Sequence, residues 1–177
     1  MTIECTEKIT LALTIAKWVH RNQKRKYTNE PYIVHPIAVA ERVSEYKHTE
    51  DMICAAFLHD TIEDTDVTYE TLLNIFGIKI ADLVFELTDN SKLCDGNREH
   101  RKEIDREFLS HVSSEAQTIK LADLIDNTKS ICEYDKKFAK VYLEEKRQLL
   151  KVLGRGDTEL YAFTLAQLKD ERKKLGI

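Results

Sequence analysis

Apolar residues in this chain recur at three- and four-residue intervals almost from end to end, and strand-like alternation appears nowhere at convincing length. That period restricts the fold to packed amphipathic helices. Ile9, Leu13 and Ala16 with Trp18 and Val19 predict a first helix from about residue 6 to 22. The basic loop RNQKRKYTNEP follows and ends at Pro31. His35-Pro36 opens a second helix, because a proline's missing N–H is harmless in a first turn. Ile37, Ala40, Val43 and Tyr46 form its apolar stripe. A third helix is expected from Asp51 to about Ile62, passing through His59-Asp60. Thr68 is the expected N-cap of TYETLLNIF, and Gly77 its stop. Further helices are expected at about 78–89, 98–112, 115–132, 137–153 and 157–174. The expectation is an all-α, compact multi-helix bundle, one domain over residues 1–177, without an internal repeat.

Composition narrows the function classes. The chain is 42% hydrophobic and 33% charged, with two prolines and five glycines, which suits a globular helical protein. A formal net charge of -4 argues against a nucleic-acid polymer as partner. Cys5, Cys54, Cys94 and Cys132 form no CxxC and match neither a zinc knuckle nor a redox motif, and Cys54 reads as core. Glu4, Glu7 and Lys8 interrupt any signal-peptide core, and no apolar run approaches membrane-spanning length. The expected compartment is the reducing cytoplasm, with no membrane partner.

Chemistry concentrates in FLHDTIEDT. His59 and Asp60 offer an imidazole nitrogen and a carboxylate oxygen to one cation, and on a continuous helix Glu63 and Asp64 would lie one turn further on the same face. A solvated, charged helix end is the competing reading. Two further ligands suggest themselves. His35 stands at a loop-to-helix junction, where it serves either as ligand or as cap. Asp123 lies in TIKLADLIDNTKSI, apolar nearly all round, so it should be buried and therefore paired or metal-bound. Lys120 and Asn127 share its face, which leaves an internal Asp–Lys pair open. His35, His59, Asp60 and Asp123 together make a two-nitrogen, two-carboxylate set without thiolate, suited to Mn, Fe, Co or Mg. SKLCDGNREHRK, residues 91–102, is the least regular stretch. Its Arg98, Arg101 and Lys102 belong either to a solvated loop or to a flap that carries positive charge to an anionic substrate.

The segments RKYTNEPYIVHP (25–36), FLHDTIEDTDVT (57–68), ELTDN (86–90) and IKLADLIDNTKS (119–130) resemble, in order and spacing, the HD-domain superfamily of metal-dependent phosphohydrolases. More closely they are similar to the alarmone hydrolases of the Rel/Spo group, in the small form without a synthetase domain. The resemblance implies Mn²⁺ held by His35, His59, Asp60 and Asp123, with Glu63 and Asp64 as the pair that activates and orients water. It implies Arg25 and Lys26 flanking the nucleotide, the Arg near the base, and Asn127 at the ribose and phosphates. Lys129 stands where the family usually has Arg. The loop YTNE is about a residue longer than the family's turn.

The implied reaction is hydrolysis of the 3′-pyrophosphate of ppGpp or pppGpp to GDP or GTP and pyrophosphate, with Arg25, Lys26, Arg98, Arg101 and Lys102 offsetting charge on the leaving group. Alternatives left open are another HD phosphohydrolase activity (on ppApp, the 2′-phosphate of NADPH or a nucleoside 5′-monophosphate), an alarmone-binding module without turnover, and a helical interaction module without metal. The oligomeric state is not legible in the sequence.

Overall fold

The helices are α1 (Glu7–Val19), α2 (Val34–Ser44), α3 (Glu50–Leu58), α4 (Thr61–Asp64), α5 (Tyr69–Phe76), α6 (Ile78–Leu87), α7 (Arg98–His111), α8 (Ser114–Tyr134), α9 (Lys136–Leu150) and α10 (Thr158–Lys174), in a computed structural model that describes residue 3 and residues 6–177. Cys5 lies outside the described residues. Among those described there is no strand, only one antiparallel bridge between Lys24 and Pro31.

Most helix starts are set by a side chain that takes up an otherwise orphaned N–H. Thr6, Thr49 and Thr68 accept from Ile9, Met52 and Thr71 at 3.2 Å. Asn97, Ser113, Asp135 and Asp157 do the same for α7 to α10. The expected Thr68 cap is present, and Gly77 ends α5 with φ of 84°, which a side chain would strain.

The chain forms two compact units, residues 1–88 and 89–177. In the first, α1, α2 and α6 pack on α3, whose residues Met52 to Leu58 are all buried. Ala12, Ala16 and Ala40 on the packing faces let the backbones approach closely, and Cys54 is core as expected. Each large apolar side chain buried here stabilises the unit by about 1.5–3 kcal/mol. In the second unit, α9 and α10 pack on α8. Gln117 is fully buried there, donating to the carbonyls of Leu109 and Val152 at 3.0 and 3.1 Å and accepting from Arg155 N–H at 2.9 Å. Gly156 packs tightly beside it: a Cβ would stand 2.8 Å from Leu121 Cδ1 and 3.2 Å from the backbone of Gln117 and Thr118.

Three expectations fail. Tyr46 lies beyond the end of α2 at Ser44, and Val39 joins Ala40 and Val43 on that helix's buried face. The first helix stops at Val19 rather than 22, and Trp18 is 65% exposed with the Arg21 guanidinium 4.1 Å over its ring, so Ile9, Ala12 and Ala16 form the inner stripe instead. The third helix does not run through to Ile62: it ends at Leu58, and a separate turn, α4, begins at Thr61. The Thr61 hydroxyl donates to the Leu58 carbonyl at 2.7 Å, competing with the next helical N–H for that acceptor. His59 and Asp60 therefore sit in a break between helices.

Candidate metal centre and active site

The break gives His59 a fixed tautomer. Its Nδ1 lies 2.9 Å from the Ala56 carbonyl, which can only accept, so Nδ1 carries the proton and Nε2 is left with its lone pair. That Nε2 is buried and has no hydrogen-bond partner among the described residues. It nonetheless stands 3.0 Å from Asp60 Oδ2. The distance is short, but the directions are not those of a hydrogen bond, and two electron-rich atoms face each other. His35 Nε2 is 3.6 Å from the same oxygen, with the two imidazole rings edge to face at 5.2 Å. Two buried imidazoles converging with a part-buried carboxylate fit a divalent cation, which offsets both the repulsion and the desolvation penalty. A backbone-anchored imidazole is also the usual arrangement of a metal-ligating histidine.

Tyr32 completes this corner. It sits in the turn before α2, and its hydroxyl donates to Asp60 Oδ2 at 2.7 Å. Its partner is 28 residues away in the chain, so sequence reading missed it; its place in PYIVHP, three residues before His35, was the available signal. Glu63 and Asp64 occupy the single turn α4 and are exposed residues. Partial desolvation and then the Asp60 carboxylate push the Asp64 carboxyl upward, and the Tyr32 hydroxyl opposes this. A carboxylate raised in this way is a better proton acceptor than an ordinary aspartate.

Arg25 and Lys26 lie in the turn between α1 and α2. Arg25 N–H donates to the Glu30 carbonyl and Asn29 N–H to the Arg25 carbonyl, at 2.9 and 3.1 Å, with Asn29 in the left-handed region at φ 59°. Asn29 tolerates that conformation better than most residues. Lys26 Nζ stands 5.0 Å over the Tyr27 ring.

In the second unit, Asp123 is buried as expected, and both residues read onto its face engage it. Lys120 Nζ is 2.9 Å from Oδ2, and Asn127 Nδ2 donates to Oδ1 at 2.5 Å. The internal Asp–Lys pair is thus present. Lys129, two residues beyond Asn127, is exposed. Arg98 is bound bidentately by Glu145 at 2.6 and 2.9 Å and lies over the Phe138 ring. Lys102 pairs with Asp89 at 2.6 Å and with buried Asp105 at 3.2 Å, and Asp105 also anchors Ser91. Arg101 is half-buried on the same helix.

A sequence model of the family described as HD domain matches residues 12–151. A guanosine-3′,5′-bis(diphosphate) 3′-pyrophosphohydrolase of Aquifex aeolicus is 37% identical over 158 residues, covering 88% of this chain and 21% of that protein. This chain thus spans about a fifth of that relative's length. The guanosine-3′,5′-bis(diphosphate) 3′-pyrophosphohydrolase MESH1 of Danio rerio is 39% identical and is matched over 73% of each chain. A solved structure of a metazoan ortholog of SpoT, described as hydrolysing ppGpp and playing a role in starvation responses, superposes with a TM-score of 0.85 at 27% identity over 99% of both chains.

Proposed function

This chain belongs to the HD-domain family, and from that premise we propose that it hydrolyses the 3′-pyrophosphate of (p)ppGpp, yielding GDP or GTP and pyrophosphate. The observation that carries the reading is the buried Nε2 of His59, without a hydrogen-bond partner among the described residues and 3.0 Å from Asp60 Oδ2. The match to MESH1 over most of both chains supports the substrate class. The family match runs through both units, which supports treating residues 1–177 as one hydrolase domain.

In this reading His35, His59, Asp60 and Asp123 hold a divalent cation, Mn²⁺ by preference; His35, His59 and Asp123 are each buried. Such a cation supplies positive charge to the phosphoryl group under attack and makes nearby water more acidic. Tyr32 holds the Asp60 carboxylate in place. Glu63 and Asp64 orient the attacking water and take its proton. Water's oxygen bonds to the phosphorus attached to the 3′-oxygen, that P–O bond breaks, and the proton taken from water passes to the 3′-oxygen, leaving GDP or GTP with a free 3′-hydroxyl and releasing pyrophosphate. Arg25 and Lys26 hold the nucleotide, with Asn127 and Lys129 at its ribose and phosphates. Arg101, together with Arg98 and Lys102 where their carboxylate partners release them, offsets charge on the departing pyrophosphate. Unpaired Cys54, Cys94 and Cys132 are consistent with a cytoplasmic setting, and no helix among the described residues is long and apolar enough to cross a membrane.

The test is a panel of ppGpp, ppApp, NADPH and a nucleoside 5′-monophosphate incubated with the manganese-loaded protein, the products being resolved chromatographically. GDP and pyrophosphate from ppGpp are expected, with His59→Ala losing both the metal and the activity. Turnover confined to another member of the panel would replace the substrate while leaving the metal centre standing.

A further inference from the structure

His20 is an imidazole that the chemistry above does not use. It is 1% exposed, it closes α1, and its Nε2 has no hydrogen-bond partner among the described residues. Its Nδ1 lies 2.6 Å from Gln23 Oε1. The other end of that amide, Nε2, donates to the backbone carbonyl of Asp64 at 2.8 Å, across 41 residues of sequence.

Asp64 is the last residue of the one-turn α4, so its carbonyl has no helical partner of its own. A carbonyl can only accept, which forces the Gln23 amide to turn its NH₂ toward Asp64 and its oxygen toward His20. His20 must then present a proton on Nδ1, and in the neutral ring its buried Nε2, which has no hydrogen-bond partner among the described residues, is bare. The opposite tautomer would set two lone pairs against each other at 2.6 Å and favour flipping the amide, which would put an oxygen against the Asp64 carbonyl. The same glutamine accepts Tyr32 N–H at 3.0 Å through its own carbonyl, and Tyr32 in turn holds Asp60. One residue thus bridges the turn that bears the proposed water-activating pair and the side chain that fixes a proposed metal ligand.

We propose that His20 and Gln23 are positioning residues for the hydrolytic step: the Nδ1–H tautomer of His20 locks the Gln23 amide, which fixes the end of α4 and so the aim of Glu63 and Asp64. The proposal rests on the reading of that acidic pair given under the proposed function. His20→Leu removes the donor, whereas His20→Asn places an amide NH where Nδ1 was. Gln23→Met removes the bridge at a half-buried position with little burden on the core.

The closing experiment has two arms. Nitrogen-15 NMR of the metal-loaded protein reads the tautomer directly, without turnover: Nδ1 protonated and Nε2 bare is expected, and a proton on Nε2 would overturn the proposal. Steady-state kinetics on the substrate that the panel identifies form the second arm, with manganese content and thermal unfolding measured on every variant. His20→Leu and Gln23→Met should each lower kcat by at least about tenfold at nearly unchanged KM and full metal content, since small misplacements of reacting groups have effects of that size. His20→Asn should recover most of the loss. Should His20→Leu fail to fold, Gln23→Met carries the arm alone. Unchanged kcat in a folded Gln23→Met would overturn the positioning role, whereas a wild-type protein inert toward the whole panel would count against the proposed function and leave the tautomer arm to decide the hydrogen-bond lock.

Discussion

Tyr32 and Asp60 share one hydrogen bond, 2.7 Å from phenol to carboxylate, and it falls on the same oxygen that faces His59 Nε2. That oxygen therefore has its orientation set before any cation arrives. Tyr32→Phe removes only the hydroxyl. It is expected to weaken manganese binding by about 10–100-fold, the usual effect of losing a hydrogen bond to a metal ligand. Titration calorimetry of the two proteins decides it, and equal affinities would return Tyr32 to a packing role.

The acidic pair separates chemistry from ion binding. Glu63→Gln and Asp64→Asn should keep the fold and the manganese while turnover falls by about 10²–10⁴-fold, because an amide cannot take the proton. Metal content measured beside kcat is the deciding observation. Full turnover with retained metal would make the pair a solvated helix end.

Neutralising Arg25 and Lys26 together should raise KM and leave the ion in place. The loss of one charge-assisted contact costs about 1.5–3 kcal/mol, roughly one to two orders of magnitude in affinity. An unchanged KM in the double variant would remove the loop from the substrate site.

Lys146 provides a prediction about stability and pH. It is 1% exposed, bound to Thr128 Oγ1 and Gln167 Oε1 at 2.7 and 2.8 Å, and burial lowers its pKa to about 7 against the attraction of Cys132, Glu171 and Asp123. In the unfolded chain the lysine stays protonated to near 10.5. Between those values the unfolded state binds more protons, so stability rises with pH across that window, at most by roughly 1.4 kcal/mol per pH unit. Below the folded value both states are charged, and the cost of burying the ammonium is felt in full. Lys146→Met should thus flatten the slope, with its gain over wild type largest near pH 6 and shrinking toward pH 10, offset by the unpaired Gln167 oxygen. Denaturant unfolding at several pH values checks it; a wild-type curve that falls from pH 7 to 10 in parallel with the variant would refute it.

The helices were legible because their caps and periods are local: Thr68 and Gly77 mark one helix by short-range chemistry alone. The burial of Asp123 followed from the apolar residues around it, and the convergence of His35, His59 and Asp60 from donor chemistry. The break after Leu58 was not legible, because it depends on a threonine hydroxyl choosing a carbonyl over solvent. Trp18 carried the right residue type but faced outward, stacked under Arg21. Tyr32, His20 and Gln23 escaped notice for another reason. Their roles are hydrogen bonds to partners 28 and 41 residues away, or to a neighbour whose tautomer matters, and periodicity carries no trace of either.

The buried run from Met52 to Leu58 also sets the rhythm of local opening in the first unit. Its amides can reach solvent only when the surrounding helices separate, so they should be among the slowest to exchange with deuterium there, while those of residues 21–31 exchange early. His59 and Asp60 are mounted directly on the end of that slow segment, and Arg25 and Lys26 on the fast one. Arg25 and Lys26 should thus open to solvent more often than His59 and Asp60, with Gln23 as the tie between the faster segment and the slower one.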